Sequence, residues 1–391
     1  MNSLLLFLLL QTVFTEPEPK FEIQEIDSNV AIGYGLAIGD VDGDGKPDIL
    51  LVDKTEIVWY RNGDWKRFVM VENLTEFDNV CIAARDINGD GKVEVAVGAQ
   101  WNPGETSDPE KSGSVHYLIR PDDPTQKWTP VKLHHEPTVH RMRWAKTTGN
   151  NYQLIVLPLH GRGNKMGQGA GVRVLAYQPP KDPTESWTTQ LIDASMHLTH
   201  NLDIVELEDG SGESILVGGR EGVKVFSFKD GKWNNHSQIE RLVKDHAVGE
   251  LRLQDLPLGH KALATVEPMH GNMVAVYETG EIKEGNPERR ELDNTLKDGH
   301  AIGWGDFWGN GIQQVVAGWR VPNSDGDIGI KIYTPKNGSF ADFETFWLDK
   351  NGMACEDLQI ADLNGDGKPE IIASGRSTNN LRIYWNRSDG N

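Results

Sequence analysis

Three stretches of the chain repeat one another: Asp40-Val-Asp-Gly-Asp-Gly-Lys-Pro-Asp48, Asp86-Ile-Asn-Gly-Asp-Gly-Lys-Val-Glu94 and Asp362-Leu-Asn-Gly-Asp-Gly-Lys-Pro-Glu370. Oxygen-bearing side chains recur at positions 1, 3, 5 and 9, with glycine at 4 and 6. Alternate carboxylates on a tight turn can converge on one hard cation, and the glycines permit the positive φ of the wrap. The candidate calcium ligands are Asp40, Asp42, Asp44 and Asp48; Asp86, Asn88, Asp90 and Glu94; and Asp362, Asn364, Asp366 and Glu370. The competing reading is an Asp/Gly turn held by its own side-chain-to-backbone hydrogen bonds. Apolar runs flank the first turn (Gly35-Leu-Ala-Ile-Gly and Ile49-Leu-Leu-Val), so each turn is expected to join two strands rather than two helices.

Aligned on the first turn residue, Asp40, Asp86, Lys146, Glu206, Asp255, Asp306 and Asp362 fall at intervals of 46, 60, 60, 49, 51 and 56 residues. Lys146 and Glu206 are degenerate anchors. Each unit continues into a second strand (Glu94-Val-Ala-Val-Gly, Gln314-Val-Val-Ala-Gly) and a third (Glu56-Ile-Val-Trp-Tyr, Leu381-Arg-Ile-Tyr-Trp). A fourth is polar and aromatic (Trp65-Lys-Arg-Phe-Val, Trp128-Thr-Pro-Val-Lys-Leu). Length alone, 391 residues, suggests two or three domains. The repeat instead predicts an all-β, seven-bladed β-propeller of four-stranded blades, a single domain over residues 16–391. Phe21-Glu-Ile-Gln-Glu-Ile reads as a fourth strand that comes first, and the last unit stops after its third. The N-terminal strand is therefore expected to complete the last blade, leaving no open edge.

The net charge is -19, from 39 basic and 58 acidic residues, which argues against nucleic acid as a partner. The apolar run from Ser3 to Thr15 is too short to span a bilayer and reads as a signal peptide over residues 1–15, so the protein is expected to be secreted or periplasmic without a membrane anchor. Cys81 and Cys355 are the only cysteines and read as buried thiols.

The start of each inner strand and the end of each second strand should share the face opposite the turns. Six residues before the anchors stand Tyr34, Val80, His140, His200, Gly249, His300 and Glu356. At the ends of the second strands stand Lys54, Gln100, His160, Arg220, His270, Arg320 and Arg376, the unit of His270 needing one extra residue. Five of the 12 histidines fall on these two rings, more than composition would place there, so the mouth is a candidate functional site. His140, His200, His300 and Glu356 suit a metal with open positions, such as Zn²⁺, Mg²⁺ or Ca²⁺, or else act as acid–base groups. Arg220, Arg320, Arg376 and Lys54 suit a carboxylate or sulfate. Gln100, Trp101, Arg141 and Trp319 are further candidate contacts to a saccharide, the tryptophans by stacking on a sugar face.

The turns and blade pattern resemble the FG-GAP/VCBS-repeat propellers. The His and Arg pattern resembles the propeller-type polysaccharide lyases (ulvan and rhamnose–glucuronate lyases) and aldos-2-ulose dehydratase. The resemblance implies a secreted lyase that performs β-elimination on an anionic saccharide, releasing either a sugar or water. In that reading His160 and His270 are base and acid, with Tyr34 as an alternative acid. Arg220 and Arg320 hold the anion beside Arg376. The alternative is a non-catalytic propeller with calcium-stabilised blades that binds a glycan or a protein.

Overall fold

A computed structural model describes residues 19–207, 212–236, 241–256, 260–279, 288–336 and 338–388, and every regular element in it is a β-strand. The expected leader at residues 1–15 lies outside the described residues. The strands form seven antiparallel sheets, taken here in chain order as blades 1 to 7. Their inner strands are Gly35–Gly39, Cys81–Arg85, Val139–Lys146, Thr199–Val205, Glu250–Asp255, Gly299–Gly305 and Cys355–Ala361. Each inner strand packs on that of the next blade, and the strand of blade 7 packs on that of blade 1, so the sheets close into a ring.

The second and third strands of each blade carry continuous apolar runs because both faces of a blade meet a neighbour. In blade 1 Asp48–Val52 is buried throughout and Glu56–Tyr60 at all but its first residue. Cys81 and Cys355 are free and buried.

The outermost strand of blade 7 is Phe21–Asp27, antiparallel to Asn380–Asn386 with Phe21 opposite Asn386. Phe21 stands edge-on to Phe307 with ring centroids 5.9 Å apart, and Glu25 pairs with Arg382 at 3.0 Å. Deleting residues 1–27 should therefore cost at least about 2 kcal/mol from the lost contacts of Phe21 and Ile26 alone. It should also expose the edge of Asn380–Asn386 to self-association. Thermal unfolding and size-exclusion chromatography check both effects.

Two expectations need correction. Trp65 is not in the fourth strand of blade 1, which begins at Arg67. Trp65 lies in the preceding turn with φ 50°, its amide bonded to the carbonyl of Arg61 at 2.8 Å. In blade 4 the outer position is divided: Lys232–Asn235 and Arg241–Val243 pair with opposite ends of Gly222–Lys229.

Candidate functional site at the axial mouth

The inner strands of blades 3, 4, 6 and 7 share a feature that those of blades 1, 2 and 5 lack. The pairing register jumps from Val139 to Arg141, from Thr199 to Leu202, from Gly299 to Ala301 and from Cys355 to Asp357. No shift occurs in the inner pairs of blades 1, 2 and 5. The residues left out of the ladder include His140, His200, His300 and Glu356. A β-bulge frees one residue from pairing and re-aims its side chain. Here the bulges bring three imidazoles and a carboxylate to the axis.

The imidazole Nδ1 atoms follow a second regularity. His140 Nδ1 lies 2.8 Å from the carbonyl of His200, His200 Nδ1 3.2 Å from that of Gly249, and His300 Nδ1 2.5 Å from that of Glu356. Each ring histidine thus donates to the equivalent backbone position of the next blade. That bond fixes the proton on Nδ1 and leaves Nε2 as a lone pair. His200 Nδ1 also lies 2.9 Å from Glu250 Oε1. Burial, then the charge of His270, lowers the pKa of His200 to about 3; burial and nearby cations hold His140 and His300 well below the ordinary range. All three are neutral imidazoles at physiological pH. Glu250 stays ionised: burial opposes this, but His200 and the nearby arginines outweigh it and hold the pKa at about 2.

Blade 5 offers Gly249 at the ring position. A Cβ there would collide with the carbonyl of Met269. The segment after Lys261–Glu267 therefore drops into the space of a missing side chain, and His270 fills it. Its ring centroid is 4.0 Å from that of His200 and 4.6 Å from that of His300. One nitrogen from each of His200, His270 and His300 lies within 4.8 Å of the others. His200 and His300 are buried, and His270 keeps 30% of its side chain exposed, so the cluster opens to solvent on the His270 side.

Behind His270 stands Asp298, with Oδ1 3.3 Å from His270 Nδ1. Arg320 Nε donates to Asp298 at 2.8 Å, and its Nη1 donates to both oxygens of Glu356 at 2.9 Å. Arg376 Nη1 donates to Glu356 Oε1 at 2.8 Å. Burial would raise the pKa of Asp298, but His270 and Arg320 outweigh it and hold this carboxyl far below the usual range. Arg320 is thus engaged by two carboxylates and is not a free anion holder, contrary to expectation. Glu356 is clamped by two guanidiniums and does not join the converging nitrogens. His140 also stands apart from that set: Trp101 covers it at a centroid distance of 5.0 Å, and Arg141 Nη1 lies 3.3 Å from its Nε2. The metal-competent group is His200, His270 and His300, not the expected His140, His200, His300 and Glu356.

The other candidates divide. Arg220 is exposed, and its guanidinium donates only to the carbonyl of Met166 at 3.3 Å. Lys54 is exposed, and Gln100 is partly exposed. His160 is half-buried, burial lowers its pKa, and its Nδ1 has no partner; it makes no ring contact with the cluster among the described residues. Tyr34 donates to Asp78 at 2.8 Å, and burial with Asp78 raises its pKa, so its proton is already committed. Trp319 cannot stack on a ligand: it is fully buried against Trp347, with Nε1 donating to the carbonyl of Asp327 at 3.0 Å. Arg141 is buried beneath the mouth rather than on its rim.

Residues 112–280 match the family described as the β-propeller domain of aldos-2-ulose dehydratase, and residues 30–97 and 306–373 match FG-GAP-like repeats. Aldos-2-ulose dehydratase of Phanerodontia chrysosporium is 25% identical over 264 residues, an alignment that covers 63% of this chain and 28% of that protein. The chain is a propeller related to a sugar dehydratase. Likeness to solved structures bears on the fold alone. BBS1N in complex with ARL6DN matches with a TM-score of 0.57 at 12% identity over 96% of this chain and 99% of that one. A chain of the Mitotic Checkpoint Complex matches with a TM-score of 0.55 at 11% identity over 99% of each chain. The dehydratase match spans blades 3 and 4 and reaches His270, so two of the three converging histidines lie within it.

At the far ends of the inner strands, only the first turn brings three carboxylates together among the described residues: Asp40, Asp42 and Asp48. Asp40 also accepts from the amides of Gly43 at 2.6 Å and Gly45 at 2.8 Å, as the self-held turn requires. In the other two turns Asn88 and Asn364 replace the second carboxylate, and each donates to the ninth residue, Glu94 at 2.8 Å and Glu370 at 3.3 Å.

Proposed function

We propose that the chain is a carbon–oxygen lyase that performs β-elimination on a saccharide at the axial mouth, as a sugar dehydratase or a polysaccharide lyase. The observation that carries this reading is His270, the one partly exposed member of the histidine cluster, backed by the ionised carboxylate of Asp298. Its Nδ1 lies 3.3 Å from Asp298 Oδ1 and 3.4 Å from Arg320 Nη2; with the Nδ1 proton held by Asp298, Nε2 would serve as the base for a proton next to a carbonyl or carboxylate. Arg220, with no carboxylate partner among the described residues, would meet the developing enolate charge or a substrate anion. Trp101 and the long connections after the second strands of blades 2 and 3, residues 102–113 and 161–171, would shield the site. The relationship to a sugar dehydratase supports elimination of water first. The apolar run at the N-terminus supports an exported place of action.

His200, His270 and His300 also fit a divalent transition ion, because His200 Nε2 is buried without a hydrogen-bond partner and the three rings converge. Such an ion, when bound, would polarise the substrate carbonyl as a Lewis acid. His270 would then be occupied, and His160 would accept the proton in its place. Metal analysis of the purified protein and of His200→Ala decides this: a stoichiometric ion lost in the variant supports the site, and equal content in both rejects it.

The test of the activity is incubation with aldos-2-uloses and with uronate polysaccharides, following the ultraviolet absorbance of an unsaturated product. Product from either substrate supports the lyase. Saturable glycan binding without product would leave the binding-propeller alternative.

The first turn is the proposed calcium site. Burial, with Asp42 and Asp44 nearby, raises the pKa of Asp48 to about 7. Unfolded, this group titrates near about 4. Its folded pKa is the higher one, so its contribution is present below about pH 4 and is lost as pH rises to about 7. Calcium requires the ionised form. The rise in melting temperature on adding calcium over a chelator should therefore grow between about pH 4 and about pH 7. A calcium shift independent of pH, or none, would remove this site.

A further inference from the structure

Below the histidine cluster the axial channel contains three arginines that form no direct ion pair among the described residues, although Asp203, Glu250 and Asp357 act on them through space. Among the described residues, most arginines lie within 4.0 Å of a carboxylate, as Arg85 does at 2.8 Å from Glu213 and Arg289 at 2.8 Å from Glu267. Apart from Arg220 at the surface, the exceptions with described side chains are Arg141, Arg143 and Arg252. These three line the axis, where an unpaired charge is costly. Arg143 and Arg252 stand on the inner strands of blades 3 and 5, on either side of blade 4.

The carboxylates that share the channel are spent elsewhere. Asp203 accepts from the amides of Leu253 at 2.9 Å and Ile204 at 3.1 Å. Asp357 accepts from the amides of Leu36 at 2.8 Å and Leu358 at 2.9 Å. Glu250 is engaged by His200 and Asn201. These acids cap the free edges of inner strands rather than pairing with guanidiniums. Arg143 donates only to the carbonyl of Met142 at 2.9 Å, and Arg252 only to that of Leu251 at 2.6 Å. A guanidinium carries five N–H donors, so most of those on each residue have no acceptor among the described residues. Burial, then the charge of Arg252, outweighs the pull of Asp357 and Asp203 and pushes the pKa of Arg143 down to about 10.

There is room for an acceptor. Arg252 and Asp203 line a cavity of about 220 Å³, and Arg143 lines a second of about 150 Å³; the two share Gln359 and Ile360 as walls. We propose that this end of the channel binds a small oxyanion between Arg143 and Arg252, a tetrahedral oxyanion or a carboxylate, by the forked geometry with which guanidinium pairs such groups. The inference stands apart from the catalytic reading, because no residue of the histidine cluster takes part in it.

The experiment is thermal unfolding of the full chain with inorganic sulfate, acetate or chloride at constant ionic strength, on wild type, Arg143→Met, Arg252→Met and Arg220→Gln. A ligand that binds only the folded state raises the melting temperature saturably. Wild type and Arg220→Gln should show a saturable rise over chloride, and the two channel variants should need at least about tenfold more ligand for the same rise. A rise with sulfate alone assigns a tetrahedral oxyanion, and one with acetate alone assigns a carboxylate. No rise over chloride in wild type, or an equal rise in the channel variants, overturns the proposal. If neither channel variant folds, crystals of wild type soaked in selenate decide by anomalous scattering: a peak between the two guanidiniums supports the site, and its absence overturns it.

Discussion

Replacing His270 with alanine should lower turnover by on the order of 10² or more on whichever saccharide the wild type converts, the loss typical of a missing general base. The fold should tolerate the change, because His270 follows a strand instead of lying within one and keeps 30% of its side chain exposed. The variant should retain the wild-type unfolding transition while losing product formation. Asp298→Asn is the companion measurement. It keeps the volume but removes the charge behind the imidazole, so it should lower the rate less than His270→Ala and move the acid limb of the pH–rate profile to lower pH, because imidazolium loses its counter-charge. The ionised state of Asp298 persists through the acid range, held there by His270 and Arg320 against the cost of burial. That acid limb would therefore report the base and not its carboxylate partner. Full activity in His270→Ala would reassign the proton transfer, with His160→Ala the variant to measure next.

The fold was legible because a propeller repeats its instructions. The strand Glu56–Tyr60 and the closing strand Phe21–Asp27 lie where period and polarity place them. The contents of the mouth were legible by position, since His140, His200, His300 and Glu356 share one offset from the turns. Which of them meet was not. A bulge leaves no mark in the spacing from ring to turn, because it falls at the ring residue itself and the ladder from there to the turn is regular. The substitution of His270 for a ring residue in blade 5 has a sequence trace, the glycine at 249 as the one ring position without a side chain, but its meaning depends on a loop whose path the sequence does not give. Asp298 has no such trace: it acts through the guanidinium of Arg320 and the ring of His270, both distant in sequence. Trp319 failed for a simpler reason. The end of a second strand faces the mouth in one residue and the neighbouring blade in the next, and Trp319 is of the second kind, while Arg320 is of the first.

Glu356→Ala should give the largest stability loss at the site, about 2–4 kcal/mol by urea unfolding, because it leaves a charge partly enclosed without its partner. The carboxylate is 1% exposed, and Arg320, which gives it two bonds of 2.9 Å, is 17% exposed. Arg376 is 38% exposed, so water takes over much of its share, and Arg320 keeps Asp298; both facts hold the loss below that of a fully buried pair. Glu356→Gln should lose less, since the amide oxygen still accepts one guanidinium bond. The substitution also separates two roles that the geometry couples. The carbonyl of Glu356, not its side chain, accepts from His300 Nδ1, so either variant should leave that imidazole in place. Arg320 would be free to turn its Nη1 toward the mouth. If the clamp serves only stability, Glu356→Gln should keep most of the activity. If Arg320 must be held so that Asp298 stays behind His270, activity should fall in proportion to the loss of that anchor, with KM little changed.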